Sequence, residues 1–197
     1  MVSWAQKSPE EERWNSITHA LGLGFFLILS LSSVTTIQKI YSLTVCMTMF
    51  LSTMYHGVES QKNKIKFRRL DMMSIHVLIS STGLCYVYRF DGGFFDCAPL
   101  LLVGLCSSGY VYIKYGQPFF EKISVPLYVL SGMICLVSVL IVNGEPSGEM
   151  AYFASGVAVY LMGLIFYLRD YKKWYHTLWH LFVLAGSLMH FAGLGTI

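Results

Sequence analysis

The chain has 197 residues, of which 55% are apolar and 13% charged, with a formal net charge of +3. A soluble domain ordinarily carries roughly 25% charged residues, and here the charges gather in short clusters between long neutral stretches. This excludes a soluble enzyme core and a basic nucleic-acid surface, and it points to hydrocarbon as the solvent for most of the chain.

In chain order, about 15 mostly polar residues come first, including Glu10, Glu11 and Glu12. They do not resemble a cleaved signal peptide. We read residues 1–15 as a short cytoplasmic segment of a single domain covering residues 1–197. Seven apolar segments follow: Ser16–Ile37, Ile40–His56, Asp71–Tyr88, Cys97–Tyr115, Ile123–Val142, Met150–Leu168 and Tyr175–Ile197. None carries lysine, arginine or glutamate in its interior. Each is near the length of about 20 residues that crosses roughly 30 Å of hydrocarbon. In that medium the backbone must satisfy its own hydrogen bonds, so the segments are predicted to be helices. The first two are separated only by Gln38-Lys39, read as a tight turn. The other joints are Gly57–Leu70, Arg89–Asp96, Gly116–Lys122, Asn143–Glu149 and Arg169–Trp174, each with charges, Gly or Pro. The expected fold is therefore an all-α seven-transmembrane helix bundle.

Basic residues set the orientation. With the N-terminus cytoplasmic, that side holds Lys7, Arg13, Lys62, Lys64, Lys66, Arg68, Arg69, Lys114, Lys122, Arg169, Lys172 and Lys173. The opposite side holds Lys39 and Arg89. Such a bias predicts a cytoplasmic N-terminus and an outside C-terminus in the plasma (inner) membrane. The cluster Lys62–Arg69 is read as a cytoplasmic loop against anionic headgroups. The five cysteines, Cys46, Cys85, Cys97, Cys106 and Cys135, form no CxxC pair, so they support neither a disulfide framework nor a cysteine metal site.

The histidines carry the chemistry. His56 closes the second segment, His176 and His180 open the seventh, and His19 lies near the start of the first. All four fall toward the cytoplasmic face, with Asp71 opening the third segment at the same depth. His176 and His180 are four apart and share one helix face, and Ser52 and His56 repeat that spacing. A third imidazole from His56 would complete a three-histidine site suited to zinc, whose catalytic form keeps a fourth position for water. Asp71 could orient that water and take its proton, and Ser52 could donate a further hydrogen bond. Histidines near a membrane interface can also simply hydrogen-bond water or headgroups, and spacing alone leaves both readings open. His190 is about 15 Å beyond His180 along a helix and is read as a polar contact between helices. His76 lies about 140° around the helix from Asp71 and is read as structural. His19 has no ligand-spaced partner and is read as packing or capping.

The pattern Glu12-x-x-Asn15-x-x-Thr18-His19-x-x-Gly22 resembles hemolysin III proteins. So do Ser52-x-x-x-His56, Arg69-Leu70-Asp71 and the most specific piece, His176-x-x-Trp179-His180-Leu181-Phe182-Val183-x-x-Gly186-x-x-x-His190. The matches run in order from about residue 11 to 195. They place the chain with the hemolysin III family of the progestin and adipoQ receptor superfamily, which is similar also to alkaline ceramidases. The resemblance implies an intramembrane zinc ion held by His56, His176 and His180. It further implies Asp71 as the aspartate contacting the zinc-bound water and Ser52 as the serine one turn before the first ligand. The stretch Ser81-Thr82-Gly83-Leu84-Cys85-Tyr86 departs from the family by lacking a late proline.

Two function classes follow. One is a zinc-dependent hydrolase of a lipid amide or ester, with Asp71 as general base and Ser52 stabilising the oxyanion. The other is a non-catalytic membrane protein, concerned with membrane homeostasis, sensing or cytolysis, in which zinc only staples helices. The expected partner in either case is membrane lipid.

Overall fold

A computed structural model of the chain describes residues 7–33, 35–116 and 120–195, and every regular element among them is an α-helix. The helices are α1 (Pro9–Ser32), α2 (Thr36–Gly57), α3 (Gln61–Arg89), α4 (Phe94–Lys114), α5 (Phe120–Asn143), α6 (Gly148–Tyr167) and α7 (Tyr175–Gly193). By length and composition, α1, α3, α4, α6 and the Ile123–Asn143 stretch of α5 can cross a membrane. α2 and α7 are long enough, but hydroxyl side chains and histidines lower their mean hydropathy.

Local chemistry explains the boundaries. Ser8 caps α1, with Pro9 at the first helical position. The Ser8 hydroxyl accepts from the Glu11 amide at 3.2 Å, and the Ser8 amide donates to the Glu11 carboxylate at 3.2 Å. This reciprocal cap is worth about 1 kcal/mol. Thr35 and Ser147 cap α2 and α6 with their hydroxyls.

Three sequence expectations are corrected. α1 begins at Pro9, not Ser16, so Glu11 and Glu12 are helical. α1 ends at Ser32 and α2 begins at Thr36, so Gln38 and Lys39 are helical rather than a turn, because Thr35 is a better helix start than anything at the expected turn. α3 begins at Gln61, ten residues before Asp71, so Lys62–Arg69 is helix and not loop. A helix can run past the hydrocarbon, and hydropathy marks only its immersed part. Residues 1–6, the centre of the fourth-to-fifth joint, the Lys122 side chain and the last two residues of the seventh segment lie outside the described residues.

The packing is polar inside and apolar outside. Leu21, Leu31, Leu105 and Ile141 are each at least 70% exposed, while Asn15, Ser42, His76 and Ser187 are fully covered. A soluble protein rarely exposes apolar patches beyond a few hundred Å², so these side chains face lipid. Small polar contacts join the helices, as expected where lipid removes the hydrophobic drive between them. Thr44 and Ser81 pair across α2 and α3 at 3.1 Å. Ser131 of α5 contacts His76 of α3 at 3.3 Å and Ser107 of α4 at 3.4 Å, which gives His76 its structural place.

α1 packs on α2 and α7, α2 on α3, α3 on α4 and α5, α4 on α5, and α6 on α7. Contact between α5 and α6 is at most sparse. The ring of helices is thus loosest at one seam.

Candidate metal centre

Three helix ends build the site. α2 contributes His56 in its last turn, α7 contributes His176 and His180 in its first turns, and α1 runs alongside with Glu12, Asn15, Thr18 and His19. The start of α7 is fixed by Trp174, a non-glycine residue in the left-handed region at φ 68°. Its amide donates to the Glu11 carboxylate at 2.9 Å, which helps hold a conformation costing about 1–3 kcal/mol.

Ligand atoms of His56, His176 and His180 all lie within 4.8 Å of one another. Their ring centroids are 4.8–5.0 Å apart. That envelope admits a tetrahedral ion with bonds of about 2.0–2.1 Å after small ring rotations. Each Nδ1 faces an oxygen that can only accept. His56 Nδ1 is 2.6 Å from Glu12 Oε2. His180 Nδ1 is 3.1 Å from the Asn15 carbonyl. His176 Nδ1 is 3.6 Å from Asp170 Oδ2, close enough for an ion pair but too long for a hydrogen bond. A ring that gives its Nδ1 proton to oxygen keeps a lone pair on Nε2, which is how histidine ligands are oriented and made more basic. His56 Nε2 is buried with no hydrogen-bond partner. An unpaired buried nitrogen of this kind costs about 1–3 kcal/mol unless something binds it. The donor set and this orphaned atom fit a metal ion.

The outer carboxylates are themselves neutralised. Glu12 pairs with Lys64 at 3.1 Å, and Asp170 pairs with Lys7 at 3.3 Å. Lys7 also donates to the Asp170 backbone carbonyl. Burial by itself would raise the Asp170 carboxyl, but His176 and the Lys7 ammonium outweigh it and hold the group below its ordinary value.

Ser52 is buried and Asp71 half-buried, and both line the same cavity as the three histidines. The Asp71 carboxyl takes a hydrogen bond from Ser52 and feels the charge of Arg68. All five site residues named from the sequence therefore share one chamber. His19 stands outside the three-histidine group but stacks on His180 at 3.7 Å, with both ring nitrogens lacking partners. The cavity holds about 270 Å³ and continues away from the histidines between α3, α5, α6 and α7. Ile79, Leu136, Val157 and Val183 are among its apolar walls.

The sequence reading did not assign the supporting roles of Glu12, Asn15, Thr18 and Asp170. Residues 12, 15, 18 or 19 and 22 recur at helical spacing, a signal that they share one face.

The family model described as Haemolysin-III related matches residues 7–191. The chain is 30% identical over 196 residues to Hemolysin-3 of Bacillus cereus, covering 92% of this chain and 89% of that protein. It is 28% identical to the Hemolysin-3 homolog of Bacillus subtilis (strain 168), covering 92% of each. The human monocyte to macrophage differentiation factor is 21% identical over 77% of this chain and 66% of its own length. No solved structure matches.

Proposed function

The chain belongs to the haemolysin-III-related family, and from that membership and its buried histidine cluster we propose that it is a multi-pass, zinc-dependent hydrolase of a lipid amide or ester. All seven helices cross the plasma (inner) membrane in this reading, with the N-terminus inside and the C-terminus outside. The twelve-to-two split of basic residues supports that orientation. The cluster then lies near the cytoplasmic surface.

The observation that carries the reading is the arrangement of His56, His176 and His180, with Nδ1 atoms turned to oxygen, beside Asp71 and Ser52. Bound there, zinc would supply Lewis acidity and acidify water. The chain's own residues would do the rest. Asp71 takes a proton from the water that adds to the acyl carbonyl. Ser52 gives its one hydroxyl proton to Asp71 at rest and would turn it to the oxygen on which charge develops once Asp71 holds the water's proton; loss of one such donor costs about 10²–10³ in rate. Asp71 then returns the proton to the leaving amine or alcohol as the acyl bond breaks, releasing fatty acid.

The seam between α5 and α6 suits a lipid substrate. Val129, Met133 and Leu161 line the cavity and are also 37%, 58% and 54% exposed on the outside of the bundle. An acyl chain can therefore enter sideways from the bilayer and lie among apolar walls, with its carbonyl at the histidines.

Purified protein incubated with ceramide-like lipids and zinc tests the proposal. Fatty-acid release is expected, and Asp71→Asn should lower it about 10²–10⁴-fold with bound zinc retained. Release unchanged in Asp71→Asn or His56→Ala would refute the site. Zinc bound without any release would favour the non-catalytic reading, in which the ion only joins α2 to α7.

A further inference from the structure

His190 lies on the cavity wall at the far end from the metal centre. It is about 15 Å from His180 along α7, at about 1.5 Å per residue. It is 1% exposed, and its Nδ1 has no hydrogen-bond partner. Four rings from three other helices surround it: Tyr41 at 6.5 Å, Tyr86 at 5.9 Å, Phe153 at 5.3 Å and Tyr160 at 5.4 Å between centroids. The fit is close. A Cβ on Gly156 would stand 2.6–2.8 Å from the imidazole.

The three phenols nearby already have partners. Tyr86 donates to the His190 carbonyl at 3.0 Å, Tyr41 to the Ser187 carbonyl at 3.2 Å, and Tyr160 contacts the Ser187 hydroxyl at 2.8 Å. Each phenol thus has a partner, whereas the imidazole Nδ1 has none among the described residues. Ionisable side chains deep in a membrane protein are costly and mark function by default. An unpaired nitrogen alone does not set His190 apart, since His76 Nε2 is also unpaired; the difference is that His190 lines the cavity and His76 does not.

We propose that this end of the cavity is a binding subsite for a neutral oxygen, a hydroxyl above all, carried about a dozen carbons from the acyl carbonyl, the span set by the helical rise between the two ends. The charged side chains lining the cavity, Lys7, Arg68, Asp71 and Asp170, belong to the metal-centre end. The charged side chains nearest the His190 end, Arg89 and Glu149, do not line the cavity and pair with each other at 3.1 Å, so among the described residues no counter-charge faces a carboxylate or ammonium there. A hydroxyl suits either tautomer of a neutral imidazole, since it can donate or accept. The aromatic walls suit the methylenes that precede it. This deepens the acyl-chain reading of the cavity and rests on it for the position of the carbonyl.

Direct binding to the purified, zinc-loaded protein in detergent tests the subsite without requiring turnover. The probes are ω-hydroxydodecanoic acid, dodecanoic acid and ω-hydroxyhexanoic acid, titrated by calorimetry. Wild type should bind the long hydroxy acid about tenfold more tightly than dodecanoic acid. His190→Phe keeps a flat ring in the box and should abolish the preference while still binding dodecanoic acid. His190→Asn, whose amide nitrogen can stand near the place of Nδ1, should restore part of it. The short hydroxy acid should gain nothing from its hydroxyl in wild type over His190→Phe. Equal binding of the two long acids by wild type would overturn the subsite, as would a preference that survives His190→Phe. Absence of ceramide hydrolysis would refute the catalytic reading and leave the binding comparison standing.

Discussion

Replacing Glu12 by Gln isolates how a carboxylate two bonds removed from any ion would govern its binding. Glu12 Oε2 is 2.6 Å from His56 Nδ1, and its side chain is only 18% exposed, so bulk water cannot substitute for it. The amide keeps the shape but removes the charge. Two losses follow. The charge-assisted hydrogen bond that makes His56 Nε2 a better donor becomes a neutral one, about half as strong. Lys64, 3.1 Å from the other carboxylate oxygen, loses its counter-ion and leaves positive charge beside a cation site. Substitutions of this outer kind lower metal affinity about 10–100-fold, or about 1.4–2.7 kcal/mol. Zinc affinity of the purified protein, measured by competition with a calibrated chelator, should fall by that amount in Glu12→Gln. It should be unchanged in Glu10→Gln, whose pair with Lys173 is about 60% exposed on both sides. Unaltered zinc affinity in Glu12→Gln would refute the argument that this carboxylate tunes the site.

Zinc added at about a hundredfold over its dissociation constant should stabilise the protein by about 2.7 kcal/mol, visible as a higher melting temperature that His176→Ala does not show. Gly163→Ala should lower stability by about 1–3 kcal/mol, because its Cβ would stand 2.6 Å from Phe182 Cβ and 3.0 Å from the Trp179 ring. Gly109→Ala, with nothing within 4 Å, should be neutral in the same thermal assay. The Asp170 carboxyl is held below its ordinary value, so it contributes stability above the unfolded-state value of about 3.9 and loses it as pH falls through the lower folded value. Melting between about pH 5 and pH 2 should therefore fall less steeply in Asp170→Asn than in wild type.

The helices, and the gathering of the five named side chains in one cavity, were legible in the sequence for physical reasons. Long neutral stretches allow only helices in hydrocarbon, and the four-residue spacing of His176 and His180 fixes a shared face. Depth, inferred from the basic residues, then brought His56 and Asp71 to the same level. What escaped was the part of each helix outside the hydrocarbon. Glu12 looked like solvated leader because a charge in a polar stretch carries no sign of burial. Its place against His56 depends on α1 continuing to Pro9 and packing beside α2. Lys62–Arg69 misled in the same way, since charged residues form helices as readily as loops. Asp170 could not be placed, because its approach to His176 turns on the left-handed bend at Trp174. The box around His190 joins residues far apart in the chain, and no local pattern announces it.

The contact of α1 with both α2 and α7 has a consequence for biosynthesis. Glu12, Asn15 and His56 precede His176 and His180 in the chain and are synthesised before them. Glu12 can therefore meet His56 early, but the three-imidazole cluster cannot exist until α7 has been made. Termination before α7 would leave His56 without the other two imidazoles of the cluster. Assembly of the cluster thus waits on the seventh helix.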